Sequence, residues 1–227
     1  MPYNRSFSSN PVMNFLTGSI VNQIILINVI IYVLEVFLAR TAFFDLFGLT
    51  PHTVVTKGYV WQLVTYMFLH GSPWHLILNM FVIWMFGNPL ESVWGGNRFL
   101  NYYLICGLGG ALLSFLFSFN TTIIGASGAG YGILLAYAVL FPYSEIYVWG
   151  LLPVRARTLV VFMVIIELAS GITGGGGIAH FAHLGGMAAG FIYLKSDRSV
   201  RRFFQNIKRG RDRNGDDSWR NPGSRGN

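Results

Sequence analysis

Six apolar stretches dominate the sequence and limit what it can fold into. They lie at residues 21–39, 73–90, 98–118, 126–142, 157–173 and 178–195. Each approaches the roughly 20 residues that an α-helix needs to cross the hydrocarbon core of a bilayer. Because 53% of the 227 residues are hydrophobic and only 11% are charged, the composition excludes an ordinary soluble domain. We therefore predict an all-α integral membrane protein, a bundle of six transmembrane helices.

The positions of the cations predict the orientation of this bundle. With six spans, both termini lie on one side of the membrane, together with Arg5, Arg98, Arg155, Arg157 and the cations between Lys195 and Arg225. Only Arg40 and Lys57 fall on the other side. Lys and Arg accumulate in short cytoplasmic segments, so both termini are predicted to be cytoplasmic in a multi-pass protein of the cell (inner) membrane.

The chain divides into a cytoplasmic N-terminal segment at 1–20, a six-helix membrane domain at 21–198 and a basic tail at 199–227. The tail is Gly-rich and short of aliphatic residues, which predicts disorder. The net charge of +7 also suits nucleic acid, but a topology signal that contacts anionic lipid explains the same charges. The expected partners are therefore the bilayer and its anionic lipids, with no nucleic acid.

The connection from 40 to 72, between the first two helices, is long and rich in aromatic residues: Tyr59, Trp61, Tyr66 and Phe68. Trp and Tyr prefer the boundary between membrane and water. We therefore predict a long interfacial loop on the outer side.

The fourth stretch opens with "GASGAG" and is short, which predicts a helix that begins below the membrane surface with Ser127 at its start. Irregular backbone at that depth must be shielded by protein or line a water-filled cavity. Taken alone, Ser127 fits simple packing equally well, because small residues let membrane helices approach closely.

His183, in the last stretch, favours a chemical role for Ser127. Glycines follow His183 and flank Ser127 at spacings that place them on one helical face, so the fourth and sixth helices can pack backbone to backbone through Gly128, Gly132, Gly186 and Gly190. This packing is expected to bring Ser127 and His183 within hydrogen-bond reach. A neutral histidine is the usual base that activates a serine nucleophile.

We expect a serine–histidine dyad without a third, acidic member. The candidate carboxylates lie near predicted cytoplasmic ends or in other helices, at Glu35, Glu91, Glu145 and Glu167. Tyr131, one turn after Ser127, is expected to support the imidazole by ring contact. No cofactor is expected.

The second apolar stretch supplies further polar groups in "GSPWHLILN". Ser72 is predicted to cap a helix in which Pro73 occupies the first position. His75 and Asn79 follow on one face. Beside the backbone N–H of Ser127 their side chains can stabilise an oxyanion. Interhelical hydrogen bonding explains the same pair equally well.

The motifs "HGSPWHLILN", "GASG" and "AHLGG", in this order and spacing, resemble the rhomboid family of intramembrane serine proteases in its six-helix bacterial form. The resemblance implies that Ser127 is the nucleophile, His183 the general base and Tyr131 a ring stacked near it. It also implies cleavage of single-pass or other transmembrane proteins. The implied oxyanion and substrate-binding residues are His75, Asn79, Ser127 and Gly125.

This chain departs from the family in the first outer loop. Family members usually carry Trp-Arg there, whereas this chain has Trp61-Gln62. The departure bears on the stability of the loop more than on the chemistry.

Two other functions fit parts of the pattern. A catalytically silent relative that binds membrane proteins or acts in quality control would have lost the serine or the histidine, and neither is lost. A metal-binding membrane protein would use the histidines at 70, 75, 180 and 183, of which the last two share a helical face. We expect neither a carboxylate nor a cysteine beside those histidines, which argues against a metal site.

Overall fold

The computed structural model describes residues 18–38, 40–148, 150–173 and 178–196. Its α-helices are α1 (Ile20–Phe37), α2 (Arg40–Phe47), α3 (Pro51–Lys57), α4 (Gln62–Thr65), α5 (Pro73–Trp94), α6 (Gly96–Phe117), α7 (Ser127–Leu140), α8 (Ala156–Thr173) and α9 (Ile178–Ser196). A 3-10 helix, Tyr66–Phe68, follows α4. The tail predicted at 199–227 and most of the N-terminal segment predicted at 1–20 lie outside the described residues.

Within the described ranges, four helices are long and apolar enough to cross a membrane: α1, α5, α6 and α8. Only 22% of the residues of α1 and 17% of those of α8 are buried in the protein. Their remaining apolar side chains face outward, as helices do in lipid. The other two predicted spans are also helices, of 14 residues in α7 and 19 in α9. The chain is therefore a mostly helical, multi-pass membrane protein.

The start of α1 is fixed by a carboxylate from the end of α5. Glu91 accepts hydrogen bonds from the Ser19 hydroxyl (2.8 Å) and from the backbone N–H groups of Ile20 (2.7 Å) and Val21 (3.0 Å). The first N–H groups of a helix have no partner within the helix, and the helix dipole stabilises a negative charge at this end. Glu91 thus serves as a cap and ties α1 to α5.

Among the four long apolar helices α6 is the most buried, with 44% of its most apolar 18-residue stretch inside the protein. Two fully buried tyrosines donate their hydroxyls to carbonyls of glycines, Tyr66 to Gly107 (2.8 Å) and Tyr102 to Gly132 (2.7 Å). A buried tyrosine hydroxyl needs such a partner. These bonds join α6 to the 3-10 helix on one side and to α7 on the other.

Gln62 organises the segment between α1 and α5. Its side chain is fully buried, and its Nε2 donates to the carbonyls of Asp45 (3.1 Å) and Leu46 (3.3 Å). Its Oε1 accepts from the backbone N–H of Thr50 (3.2 Å) and the hydroxyl of Thr53 (2.8 Å). The amide therefore cross-links α2, α3 and α4 at the position where the resemblance implied arginine.

The segment that leads into α7 is held by backbone hydrogen bonds. Leu49 and Ile123 exchange N–H···O bonds of 2.9 and 2.8 Å in an antiparallel bridge. The Gly125 N–H donates to the Tyr66 carbonyl at 2.9 Å. The position of the serine helix is therefore set by the segment between α1 and α5.

An antiparallel hairpin that the sequence analysis did not anticipate precedes α8. Its strands are β1 (Glu145–Val148) and β2 (Leu152–Arg155), with Glu145 opposite Arg155. Gly150 in the turn has φ +71°, a conformation that favours glycine. Among the described residues, backbone contacts group those up to Phe191 into one compact unit.

We predict that Gln62→Ala lowers the free energy of unfolding by about 1–3 kcal/mol, because buried hydrogen-bond partners are left unsatisfied. Thermal unfolding of the purified protein in detergent measures the change. Lys57→Ala, at an exposed position of the same segment, is the control and should leave the unfolding temperature unchanged. Equal unfolding temperatures for both variants would contradict the structural role of Gln62.

Candidate active site

Ser127 is the first residue of α7, as the sequence predicted. The residue at the cap position is Ala126, whose side chain has no hydrogen-bond acceptor. No side chain at the cap position therefore accepts hydrogen bonds from the backbone N–H groups of the first turn of α7. In many helices a serine or aspartate at the cap accepts such a bond. The helix start is suited to binding a negative charge.

The side chains of Ser127 and His183 contact each other. His183 Nε2 lies 2.8 Å from Ser127 Oγ, within hydrogen-bond distance. The Tyr131 ring stacks on the imidazole with centroids 4.2 Å apart and planes 8° from parallel. The structure thus brings together the two residues predicted for the dyad and the ring expected to support them.

Close contact between α7 and α9 permits this approach. A Cβ added to Gly186 would collide with the carbonyl oxygen of Gly128. A Cβ added to Gly128 would lie 3.2 Å from the carbonyl oxygen of Ala182, the residue before His183. The two helices therefore meet backbone to backbone, the arrangement that small residues allow in membrane proteins.

The contact between α7 and α9 that the glycine spacing predicts is found only in part for Gly132 and not for Gly190. A Cβ on Gly132 would lie 3.2 Å from the Gly186 carbonyl oxygen, but the Sγ and Cβ of Cys106 in α6 would be nearer, so Gly132 faces both α9 and α6. Gly190 faces α6, where the hydroxyl of Tyr102 and the Sγ of Cys106 are nearest to it. A helix turns by about 100° per residue, so four residues leave a rotation of about 40°. That rotation points Gly190 towards α6.

The expectation that no carboxylate lies beside His183 is wrong. Glu167 of α8 is 4% exposed, and its Oε1 lies 3.2 Å from Nδ1 of His183. This is an ion-pair distance, although the Nδ1–H direction is not aligned for a hydrogen bond. Glu167 also accepts a short hydrogen bond from the Tyr131 hydroxyl, and its Oε2 lies 2.5 Å from Nδ1 of His180. Sequence spacing gave no signal for these contacts, which join three helices.

A group of three possible metal ligands is formed by Glu167, His180 and His183, whose ligand atoms lie within 4.8 Å of one another. It is the one such group in the part of the chain that the structure describes. The expectation that no carboxylate accompanies the histidines is therefore also wrong. Two histidines and a glutamate form one of the ligand sets of catalytic zinc.

His70 and His75 form a separate ring pair with centroids 5.0 Å apart, so the four histidines do not share one site. Burial, with a smaller contribution from His75, lowers the pKa of His70 to about 3. His70 is therefore neutral at physiological pH.

Three interactions orient His75. Ser72 caps α5, as predicted, by accepting a hydrogen bond from the His75 N–H (3.1 Å). The backbone N–H of Gly71 donates to Nδ1 of the ring at 3.3 Å, which leaves the proton on Nε2. A Cβ on Gly125 would lie 2.7 Å from Nε2 and Cε1, so only glycine leaves room for the ring. The Nε2–H therefore points at the segment that leads into Ser127.

Asn79 lies one turn after His75 and is 8% exposed. Its Nδ2 donates one N–H to the His75 carbonyl at 2.8 Å and retains a second. Asn79 and Ser127 line the same cavity of about 330 Å³ between α5, α7 and α8. The other lining residues are mostly apolar: Leu78, Val82, Gly130, Tyr131, Leu134 and Met163. The cavity thus combines an apolar wall with a few polar groups, a composition typical of ligand sites.

Comparisons with known proteins agree with the fold and the motifs. The family model described as "Rhomboid domain" matches residues 57–198. RHOMBOID-like protein 4 of Arabidopsis thaliana is 35% identical over 64% of this chain and 36% of its own length. Rhomboid-like protease 5 of Toxoplasma gondii is 34% identical over 71% of this chain and 19% of its own length. Rhomboid protease GluP of Bacillus subtilis (strain 168) is 32% identical over 64% of this chain and 28% of its own length. The matched region thus spans less than half the length of each of these relatives.

Substitution at the contact between α7 and α9 is expected to lower both stability and activity. The new methyl group of Gly186→Ala would meet the Gly128 carbonyl and force the helices apart, at a cost of about 1–3 kcal/mol. The control is Gly130→Ala, whose added Cβ would have Val82 at 3.5 Å, an ordinary contact. Unfolding temperatures in detergent compare the two variants. An unfolding temperature for Gly186→Ala equal to that of Gly130→Ala would show that the helices do not need this approach.

Proposed function

Because the chain belongs to the rhomboid family, we propose that it is an intramembrane serine endopeptidase that uses Ser127 and His183 to cleave transmembrane segments. The observation that carries the proposal is the 2.8 Å separation of His183 Nε2 and Ser127 Oγ at the start of α7. A serine hydroxyl becomes a useful nucleophile when an adjacent base accepts its proton.

The reaction proceeds in two stages. Ser127 Oγ attacks the carbonyl carbon of the scissile peptide bond while its proton passes to His183 Nε2, which produces a tetrahedral oxyanion. Collapse of this intermediate breaks the C–N bond, and the departing amine takes the proton from His183. A water molecule then attacks the acyl ester and gives its proton to His183. The serine leaves with that proton, and both side chains return to their starting states.

The oxyanion is stabilised by three donors, two of them from residues that line the cavity. These are the backbone N–H of Ser127, the free N–H of the Asn79 amide and Nε2–H of His75. Gly125 gives the His75 ring room to approach. Fixed donors aimed at a developing negative charge are usually the largest single contribution to catalysis of this kind.

The substrates are single-pass or other transmembrane proteins, cut on the side opposite the termini. We assign six spans, adding α7 and α9 to the four long apolar helices, with both termini cytoplasmic and the basic tail on anionic lipid of the cell membrane. A peptide bond inside a helix hides its carbonyl. Weak helix formers such as glycine should therefore mark the cleavage region, since they lower the cost of unwinding by up to about 1 kcal/mol per residue.

A metal-dependent function is the second candidate, because Glu167 stands beside His180 and His183. In that function Glu167, His180 and His183 would bind an ion such as zinc, and Ser127 would have no chemical role. A third candidate, a silent relative that binds membrane proteins, would retain the fold without hydrolysing substrate.

Substitution of the two histidines of α9 separates these functions. We predict that His183→Ala and Ser127→Ala abolish cleavage of a transmembrane substrate, whereas His180→Ala retains substantial activity and a chelator has no effect. Gel analysis of the substrate after incubation with the purified protein is the measurement. Equal loss in both histidine variants, reproduced by the chelator, would favour the metal site. Absence of cleavage by the unmodified protein would favour the silent relative.

Asn79→Ala should retain the fold and lose about 10- to 1000-fold in kcat, the usual cost of removing one oxyanion donor. The control is Asn88→Ala on the same helix. Asn88 Nδ2 donates to the Trp84 carbonyl at 2.7 Å, so this variant loses the same type of local bond away from the cavity. Turnover of a transmembrane substrate compares the two. Similar turnover in both variants would assign Asn79 to packing.

A further inference from the structure

We propose that Glu167 is a positioning residue for His183, so that the serine and histidine work with a third, acidic member. This inference rests on the proposed function and goes beyond the dyad that the family resemblance implies. It stands on the convergence of Tyr131, His180 and His183 on one buried carboxylate.

The first argument is the cost of burying a carboxylate. Glu167 is 4% exposed, on a helix that otherwise presents mostly apolar side chains to its surroundings. A buried carboxylate requires donors that compensate for lost hydration. Tyr131 and His180 supply hydrogen bonds to its two oxygens. This position on the helix therefore carries a strongly polar group whose contacts all lie at the candidate site.

The second argument is the direction of the contacts around His183. Its Nε2 faces Ser127 Oγ at 2.8 Å, and Nδ1, on the other side of the ring, lies at ion-pair distance, 3.2 Å, from Glu167 Oε1. When Nε2 accepts the serine proton, the imidazolium gains a positive charge next to the carboxylate. The attraction between such charges is much stronger in surroundings of low dielectric constant than in water. Glu167 thus stabilises the charged histidine without taking a proton itself.

The third argument is the link through Tyr131. This residue donates its hydroxyl to Glu167 and stacks its ring on His183 within 8° of parallel. The carboxylate therefore holds the Tyr131 ring that stacks on the imidazole, and it also contacts the imidazole directly. Loss of the carboxylate should loosen both contacts, while loss of the tyrosine hydroxyl alone should loosen only one.

The test compares full-length Glu167→Gln with Glu145→Gln, the same substitution at an exposed position of β1. Two quantities are measured in detergent or liposomes. One is kcat and KM for a transmembrane substrate. The other is the rate at which a fluorophosphonate forms an O–P bond to Ser127 as fluoride leaves.

Glu167→Gln should lower kcat and the labelling rate by at least about tenfold with KM unchanged, within the roughly 10⁴-fold limit seen when an orienting carboxylate is neutralised. Tyr131→Phe should lose less than Glu167→Gln, because it keeps the stacked ring and the carboxylate. Glu145→Gln should match the unmodified protein.

The outcomes distinguish the inference from the function on which it rests. A folded Glu167→Gln variant with unchanged kcat overturns the role of Glu167 and leaves the serine protease intact. If the unmodified protein neither cleaves substrate nor is labelled at Ser127, the proposed function is overturned, and the inference with it. If Glu167→Gln does not fold, Glu167→Asp decides, since it keeps the charge but withdraws it by one methylene. Its kcat must then fall, and an unchanged kcat overturns the inference.

Discussion

The contact of α9 with two neighbouring helices through glycines is the constraint on which the site depends. The carbonyl oxygen of Ala182 would lie 2.8 Å from a Cβ on Gly110 and 3.2 Å from one on Gly128, so α6 and α7 approach the same backbone group from two sides. Lipid supplies no hydrophobic force between helices, and such packing must come from close van der Waals contact. His183 is the next residue, and its position is therefore determined by backbone atoms. That explains how a single histidine can be aimed at Ser127 with few flexible groups in between.

Three polar side chains, the half-buried Glu91 and the buried Gln62 and Glu167, then complete the arrangement that the glycines begin. Glu91 caps α1, Gln62 joins the short helices between α1 and α5, and Glu167 gathers side chains from α7 and α9. Each satisfies donors or acceptors that would be costly to leave unpaired away from water. These three groups lie at a helix end, in the segment between α1 and α5 and at the candidate site, while the outward faces of α1 and α8 are mostly apolar.

Local sequence signals predicted much of this structure, and contacts between helices account for most of what was missed. The cap at Ser72 and the start of α7 at Ser127 depend on neighbouring residues, so the sequence was sufficient. The contacts of Glu167 with the candidate site were not predicted, because they depend on the rotation of α8 about its axis. No spacing within α8 reports that rotation. The neighbour of Gly190 was predicted wrongly because it likewise depends on the rotation of a helix, here α9. The hairpin was missed because its strands are short.

The amide of Gln62 gives the outer segment a property that follows from its lack of charge. Its four bonds to Asp45, Leu46, Thr50 and Thr53 are made by neutral partners, since the Asp45 contact is to the backbone carbonyl. Dissolved salt weakens attractions between exposed charges and has little effect on such bonds. The bridge between Leu49 and Ile123, next to Thr50, leads on to the serine helix. The entrance to that helix is thus anchored in a way that changes little with ionic strength or with the charge of the surrounding lipid headgroups.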